Sequence, residues 1–176
     1  MSFIAERMNQ IDASGIRKIF ALAAQMKDPI NLSIGQPDYD VDALCKDEAV
    51  RQIQAGFNSY TQTWGIQELR EACSAYYERR FGFPLKNVMI TSGVSGGLFL
   101  GLMATIGPGD EVICADPYFV MYKHLVNLLG GTSVPVDTYP DFKLTADRIA
   151  GAITPRTKAV IVSSPANPTG VMMSAE

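Results

Sequence analysis

The chain has 176 residues and a net charge of −3, and its apolar share of 47% and charged share of 19% are those of an ordinary soluble globular protein. No basic run indicates a nucleic-acid surface. The longest apolar stretch, residues 98–106, is too short to cross a bilayer, and the N-terminus lacks the apolar core of a secretory signal. These features predict a cytoplasmic protein without nucleic-acid or membrane partners.

The cysteines and the one histidine indicate no metal centre. Cys45, Cys73 and Cys114 are widely spaced and form no CxxC pattern, which is typical of free thiols in a reducing compartment. His124 stands alone within a helical run, where a structural role is the better interpretation. The sequence therefore predicts neither a metal site nor a disulfide.

The first half of the chain is predicted to be a loose arm followed by helices. The predicted elements, in chain order, are a helix over 11–26, an extended run over 30–34, a helix over 43–55, a polar-aromatic loop over 57–65 and a helix over 66–81. Asp42 is placed to cap the helix over 43–55, and Gly82 is placed to end the helix over 66–81.

From Asn87 onward, short β-rich runs alternate with helices. The predicted elements are strand 88–91, helix 95–106, strand 111–115, helix 118–129, strand 132–136, helix 145–153 with Thr145 as its cap, and strand 158–163. This alternation predicts a parallel sheet with right-handed crossovers. The apolar run 159–162 suits a sheet that is covered on both faces. The change of composition near Asn87 is the candidate internal boundary.

The stretch 91–97, TSGVSGG, joins a predicted strand to a predicted helix. Its glycines remove the Cβ atoms that would keep a ligand from the backbone, and Ser95 adds a hydroxyl donor. The first N–H groups of a helix have no partner within the helix, and the helix dipole favours an anion there. The residues fit an anion site and equally a tight strand-to-helix turn.

Two further loops follow predicted strands, at 115–119 and 163–170. In an open α/β sheet, ligands bind just outside the carboxyl ends of the strands. Phe119 could stack on a flat ring, and the amide of Asn167 could donate to an oxygen of a ligand. The alternatives are that Phe119 packs in the core and that Asn167 is a turn residue before Pro168.

Six motifs carry a resemblance to a known family. They are NLSIGQPDYD, SYTQTWGIQELREA, TSGVSGG, GPGDEVICADPYFVMY, ITPRTKAVIV and SSPANPTG. From about residue 30 to residue 170, the chain resembles the N-terminal part of the fold-type I, pyridoxal-phosphate-dependent aminotransferases (class I/II, aspartate-aminotransferase-like).

The resemblance implies an α/β fold and a division of the chain. An arm or small-domain segment would cover residues 1–45. The first part of the cofactor-binding large domain would cover residues 46–176, with a mostly parallel sheet and helices on both faces. The parent enzyme would transfer an amino group from an amino acid to a 2-oxo acid.

The same resemblance assigns cofactor contacts to four residues. The backbone N–H groups of Val94 and Ser95, with the Ser95 hydroxyl, would bind the phosphate of pyridoxal 5'-phosphate. Phe119 falls at the ring-stacking position. Asn167 matches the asparagine that donates to the phenolic oxygen of the cofactor and lies near the substrate carboxylate.

The resemblance also implies a substrate contact and a partner subunit. Gly35 matches the glycine whose N–H meets the α-carboxylate of the substrate. Tyr60 matches a tyrosine that reaches the phosphate of the neighbouring subunit, which implies a homodimer. Cis peptide bonds are expected before Pro117 or Pro168.

The lysine that forms the Schiff base lies beyond the NPTG loop in the family, so we expect no catalytic lysine in this chain. The lysines Lys86, Lys123, Lys143 and Lys158 are expected to be solvated surface charges. The chain alone is therefore expected to be inactive, and to be stable only with a complementary segment or in a rearranged dimer. Two alternatives stay open: a lyase that uses the same cofactor and fold, and a non-catalytic fragment that binds a phosphorylated ligand or a partner chain.

Overall fold

The computed structural model describes residues 3–11, 19, 22–30, 32, 35 and 37–174. The chain divides into two compact units, of which one comprises residues 1–14 and 92–176 and the other residues 15–91. The boundary at residue 91 lies close to the change of composition at Asn87. The division into segments 1–45 and 46–176 remains a prediction about the complete protein.

The unit formed by residues 15–91 contains helices α1 (Ala43–Gln54) and α2 (Gln67–Phe81). Both predicted helices are confirmed, and the Asp42 carboxylate caps α1 by accepting from the N–H of Leu44 at 2.8 Å. Neither helix buries a residue among those described. The predicted helix over 11–26 and the extended run over 30–34 lie for the most part outside the described residues.

Residues 88–91 form no strand, so this prediction is wrong. The N–H of Ile90 donates to the carbonyl of Trp64 at 3.0 Å, and the Arg70 guanidinium donates to the carbonyl of Val88 at 2.9 Å. A strand needs a neighbouring strand for its backbone hydrogen bonds. In the described part of the chain, the only sheet consists of three later strands, and residues 88–91 do not belong to it.

The unit that contains residues 92–176 is built on a parallel sheet. Its strands are β1 (Glu111–Asp116), β2 (Thr132–Asp137) and β3 (Thr157–Ile161), in the order β2-β1-β3. Ile113 of β1 lies opposite Val134 of β2 on one side and Val160 of β3 on the other. The predicted parallel sheet is confirmed, with β1 at its centre.

Helices cover both faces of this sheet. They are α3 (Gly93–Thr105), α4 (Met121–Leu128) and α5 (Ala146–Ala152). Leu102 of α3 and Val126 of α4 pack with Val112 in one core cluster. Ile149 of α5 packs with Ile113 in the cluster on the opposite face. Val112 and Ile113, which are successive residues of β1, thus pack on opposite faces of the sheet, as the pleat of a strand requires.

A charged cluster fixes the amino end of the central strand. The buried carboxylate of Glu111 accepts from the Thr154 hydroxyl, and from Arg156 Nε at 2.9 Å. These two donors lower the pKa of Glu111, since both favour its ionised form. The cluster connects β1 to the turn that precedes β3.

Within the described residues, no helix has the length and apolar character needed to cross a membrane.

Candidate functional site

Two of the three loops named from the sequence meet at one edge of the sheet. β1 and β3 are parallel neighbours, so the segments that follow Asp116 and Ile161 leave the sheet side by side. A cavity of about 340 Å³ touches both segments, with Pro117 and Asn167 among its lining residues. The structure therefore brings the 115–119 and 163–170 loops together, as the sequence predicts.

Asn167 lies in a hydrogen-bonded turn with its side chain exposed. The N–H of Gly170 donates to the carbonyl of Ala166 at 2.7 Å, and the N–H of Ala166 donates to the carbonyl of Val171 at 2.8 Å. Gly170 has a φ of +73°, a left-handed conformation that glycine adopts without strain. The turn fixes the backbone on both sides of Asn167, whose side chain is exposed. The turn interpretation and the ligand-binding interpretation are thus compatible.

Cis peptide bonds flank these loops. Both of the expected bonds, before Pro117 and before Pro168, are cis. The bonds before Pro140 and Pro165 are also cis, which the sequence did not indicate.

Phe119 is half-buried and belongs to neither of the two core clusters. Its ring meets the ring of Tyr122 edge-on, with the ring centroids 5.8 Å apart. Its carbonyl accepts from the N–H of Tyr122 at 2.9 Å, so the loop turns directly into α4. The aromatic pair holds the Phe119 ring in place, and the core-packing alternative is not what the structure shows.

The third loop forms the N-terminus of α3. The helix begins at Gly93, whose φ of +65° suits glycine, and the side chain of Ser92 makes no capping hydrogen bond in the described structure. Val94 is 80% exposed, and Ser95 is also exposed. The first turn of α3 therefore presents backbone N–H groups and a hydroxyl to the outside, which is the arrangement that binds an anion.

The lengths of α3 and β1 indicate that this helix N-terminus lies at the same end of the sheet as the other two loops. α3 packs along the sheet and is followed by a short turn into β1, in which the N–H of Gly107 donates to the Asp110 carboxylate at 2.9 Å. α3 has 13 residues and is about 20 Å long. The six residues of β1, which follow the turn, span about the same distance. The chain thus returns along β1 to the level at which α3 began.

Tyr60 and Gly35 belong to the unit formed by residues 15–91. The Tyr60 side chain is fully exposed. A Cβ atom added at Gly35 would meet no other atom within 4 Å. Both are accessible, and their roles remain predictions.

Lys143, at the end of the loop before α5, is exposed, as expected for a solvated surface charge, and it also borders the cavity. The thiol of Cys114 lies inside the sheet, and burial raises its pKa. It is therefore a packing residue. Cys45 is exposed and Cys73 is half-buried, so burial of the free thiols, expected for all three cysteines, is found only at Cys114.

Comparisons with known proteins agree with this geometry. The family model described as aminotransferase class I and II matches residues 27–176. The aspartate aminotransferase of Pyrococcus abyssi is 37% identical over 97% of this chain, and the aspartate/prephenate aminotransferase of Cereibacter sphaeroides is 40% identical over 97%. The crystal structure of the aspartate aminotransferase from Rhizobium meliloti superposes with a TM-score of 0.93 at 35% identity over 99% of this chain.

The chain spans less than half the length of these proteins. It covers 45% of the Pyrococcus abyssi protein, 44% of the Cereibacter sphaeroides protein and 46% of the Rhizobium meliloti structure. The similarity thus extends along nearly all of this chain but over only one part of each relative.

Proposed function

Because the chain belongs to the class I and II aminotransferase family, we propose that the complete protein transfers an amino group from an amino acid to a 2-oxo acid with pyridoxal 5'-phosphate as cofactor. The observation that carries this proposal is that the loops after β1 and β3 leave the carboxyl end of one parallel sheet side by side. They offer an aromatic ring and an exposed amide, and the N-terminus of α3 adds exposed backbone N–H groups. A phosphorylated, flat, aromatic ligand needs these three kinds of contact.

The residues present fit this cofactor. The backbone N–H groups of Val94 and Ser95 would hold its phosphate, since the first turn of α3 is exposed and begins at a glycine. Phe119 would lie against the ring, and the Asn167 amide would donate to the phenolic oxygen. When bound, pyridoxal phosphate supplies an electron sink for the electron pair released at the substrate α-carbon.

The protein residues contribute binding and orientation. The N–H of Gly35 would hold the α-carboxylate of the substrate, and the Asn167 amide would lie near the same carboxylate. Tyr60 would reach the phosphate bound by a second subunit, which makes the active enzyme a homodimer. These contacts set the position of the substrate α-carbon relative to the cofactor ring.

We further propose that the 176 residues alone do not catalyse the reaction. By the family resemblance, the lysine that bonds covalently to the cofactor lies in the part of the enzyme that follows the NPTG loop. The chain would then supply the phosphate, ring and phenolic-oxygen contacts, and the following part would supply the covalent attachment and the proton transfers.

Substitution of Asn167 in the complete enzyme tests the proposal. A hydrogen bond to a charged group is worth about 1.5–3 kcal/mol, so Asn167→Ala should reduce kcat/KM for amino transfer by roughly ten- to a hundredfold. Asn87→Ala is the matched control, because Asn87 is exposed and lies outside the three loops, and its activity should remain within twofold of the wild type.

The assay should follow the new amino acid and the new 2-oxo acid separately. Equal amounts of both products support amino transfer. A 2-oxo acid formed with release of ammonia, and without any new amino acid, would instead show a lyase on the same fold. Equal activity of the two asparagine variants would contradict the assigned role of Asn167.

A further inference from the structure

The loop that carries Tyr60 is tied by its backbone to a segment that follows α2. The N–H of Gly65 donates to the carbonyl of Gln62 at 2.9 Å, which closes a turn that begins two residues after Tyr60. The carbonyl of Trp64, within this turn, accepts from the N–H of Ile90 at 3.0 Å. The turn is therefore held from outside the loop, by residues that lie beyond α2 in the chain.

Gly65 lies where the turn and this segment come closest. A Cβ atom added at Gly65 would lie 2.5 Å from Cγ1 of Ile90. Non-bonded carbon atoms keep a separation of about 3.5–4.0 Å, so no larger residue fits at this position without a shift of the backbone or of Ile90. The glycine thus allows the turn to pack directly against the Ile90 side chain.

Arg70, in the first turn of α2, adds a side-chain bridge between the same two parts. Its Nε donates to the carbonyl of Val88 at 2.9 Å, and its guanidinium carbon lies 5.5 Å from the centroid of the Trp64 ring. A guanidinium at this distance over an aromatic face is attracted by the ring. Arg70 is half-buried, and in the described part of the chain it takes part in no ion pair. Both contacts therefore connect the Trp64 turn to Val88.

Tyr60 differs from the residues that hold its loop. Its side chain is fully exposed, whereas the bridge formed by Arg70, Trp64 and Val88 lies in the same unit, residues 15–91. A side chain that reaches a ligand of another subunit needs a fixed backbone, because a hydrogen bond misplaced by about 1 Å loses most of its strength. The bridge supplies this fixation without occupying the tyrosine ring.

We propose that Arg70 is the positioning residue for Tyr60. By holding the turn after Tyr60 against Val88 through the Trp64 ring, Arg70 sets the reach of the Tyr60 hydroxyl to the cofactor phosphate bound by the second subunit. This inference rests on the proposed function, because Tyr60 has that task only in a homodimer that binds pyridoxal phosphate. The competing interpretation is that Arg70 serves the stability of the fold alone.

Titration of the complete apoenzyme with pyridoxal phosphate tests the positioning role. Tyr60→Phe should weaken binding by roughly ten- to a hundredfold, which is the scale of a hydrogen bond to a charged group. Arg70→Ala should weaken binding by about five- to tenfold, because a loosened turn loses part of that hydrogen bond. In the Tyr60→Phe background, Arg70→Ala should change the affinity by less than about twofold, since its effect passes through the Tyr60 hydroxyl. Independent, multiplying effects of the two substitutions would overturn the proposal.

Pyridoxal, which lacks the phosphate, separates positioning from a general loss of structure. Neither Tyr60→Phe nor Arg70→Ala should change the affinity for pyridoxal by more than about twofold, because the contact in question is made to the phosphate. An Arg70→Ala variant that loses affinity for pyridoxal and for pyridoxal phosphate equally would overturn the proposal, since a disordered site weakens both.

A milder substitution keeps the test decisive if Arg70→Ala folds poorly. Arg70→Lys retains a charged donor but loses the planar group over Trp64, so it should weaken the binding of pyridoxal phosphate by about two- to fivefold. This loss should again disappear in the Tyr60→Phe background, and its persistence there would overturn the proposal. Arg79→Ala is the matched control, because Arg79 is an exposed arginine in the last turn of the same helix, and its affinity should stay within about twofold of the wild type.

The outcomes distinguish this inference from the proposed function. If Tyr60→Phe weakens the binding of pyridoxal phosphate but neither Arg70 variant does, the positioning role is wrong and the proposed function stands. If Tyr60→Phe has no effect on an enzyme that binds the cofactor, the positioning role is wrong as well. If the complete wild-type enzyme does not bind pyridoxal phosphate, both the inference and the proposed function are overturned.

Discussion

At the scale of single residues, Gly93 decides how α3 begins. Its φ of +65° lies in the left-handed region, and a Cβ atom there would meet no neighbouring atom within 4 Å. Any cost of substitution is therefore conformational and not steric. Gly101, in the middle of the same helix, has equally open surroundings and no left-handed backbone.

These two glycines give opposite predictions. Gly93→Ala should lower the free energy of unfolding by about 1–2 kcal/mol, because an L-residue is strained at this φ. Gly101→Ala should raise it by up to about 1 kcal/mol, because alanine is the better helix residue. Urea unfolding of the two variants measures both values. A stabilised Gly93→Ala variant would mean that α3 does not begin with the left-handed residue described.

The carboxylate of Glu111 makes the free energy of unfolding depend on pH. Thr154 and Arg156 lower its pKa in the folded state, so its contribution to stability is complete above the unfolded pKa of about 4.3. That contribution is lost as the pH falls through the folded pKa. Glu111→Gln should therefore lower the urea midpoint at pH 7, and the difference from the wild type should shrink below about pH 4. A difference that is constant from pH 7 to pH 3 would contradict the role of the ionised carboxylate.

At the scale of elements, the central position of β1 is the feature on which both core clusters depend. Val112 of β1 is 1% exposed, whereas Val160 of the edge strand β3 is 37% exposed. Val112→Ala should cost about 2–3 kcal/mol in the free energy of unfolding, since it removes buried methyl groups and leaves a cavity. Val160→Ala should cost less than about 1 kcal/mol. Equal costs in urea unfolding would contradict the strand order β2-β1-β3.

Elements whose partners lie close in sequence could be predicted, because local signals determine them. The Asp42 cap, the Thr145 cap and the Gly82 end each depend on one side chain or one φ value, and each is found where the sequence places it. α4 begins at Met121 instead of Tyr118, because residues 117–119 are still turning away from β1 after the cis bond at Pro117.

Features that depend on distant partners could not be predicted. Residues 88–91 have the composition of a strand, but no strand lies beside them in the described structure, and their hydrogen bonds go to Trp64 and Arg70 instead. The cavity next to Asn167 arises because the 171–174 segment and the loop before α5 approach each other. Neither contact leaves a pattern in the sequence. Lys143 is exposed as expected, but its place at the cavity could not be predicted.

For the candidate site, composition and spacing indicated that three loops share one end of a sheet, and the structure confirms this for the loops after β1 and β3. The identity of the ligand came from the family motifs and not from the physical pattern alone. The glycine loop by itself fits any anion, and only the combination with Phe119 and Asn167 selects a flat phosphorylated ring.

At the scale of the whole molecule, much apolar surface remains uncovered. Neither α1 nor α2 buries a residue among those described, and β2 and β3 each have one edge without a neighbouring strand in the described sheet. Exposed strand edges pair readily with other chains. We therefore propose that these 176 residues reach full stability with a complementary segment or a second subunit, as expected for a portion that spans less than half of its relatives.

Our central proposal is that this chain contacts the cofactor's phosphate, ring and phenolic oxygen but does not supply its covalent attachment. The most direct measurement is to incubate the chain with pyridoxal phosphate, reduce it with borohydride and map the labelled lysines by peptide mass spectrometry. We expect only low, scattered labelling of exposed lysines, with no single lysine labelled at about one equivalent per chain. Stoichiometric labelling of a single lysine, such as Lys143 or Lys158, would contradict it.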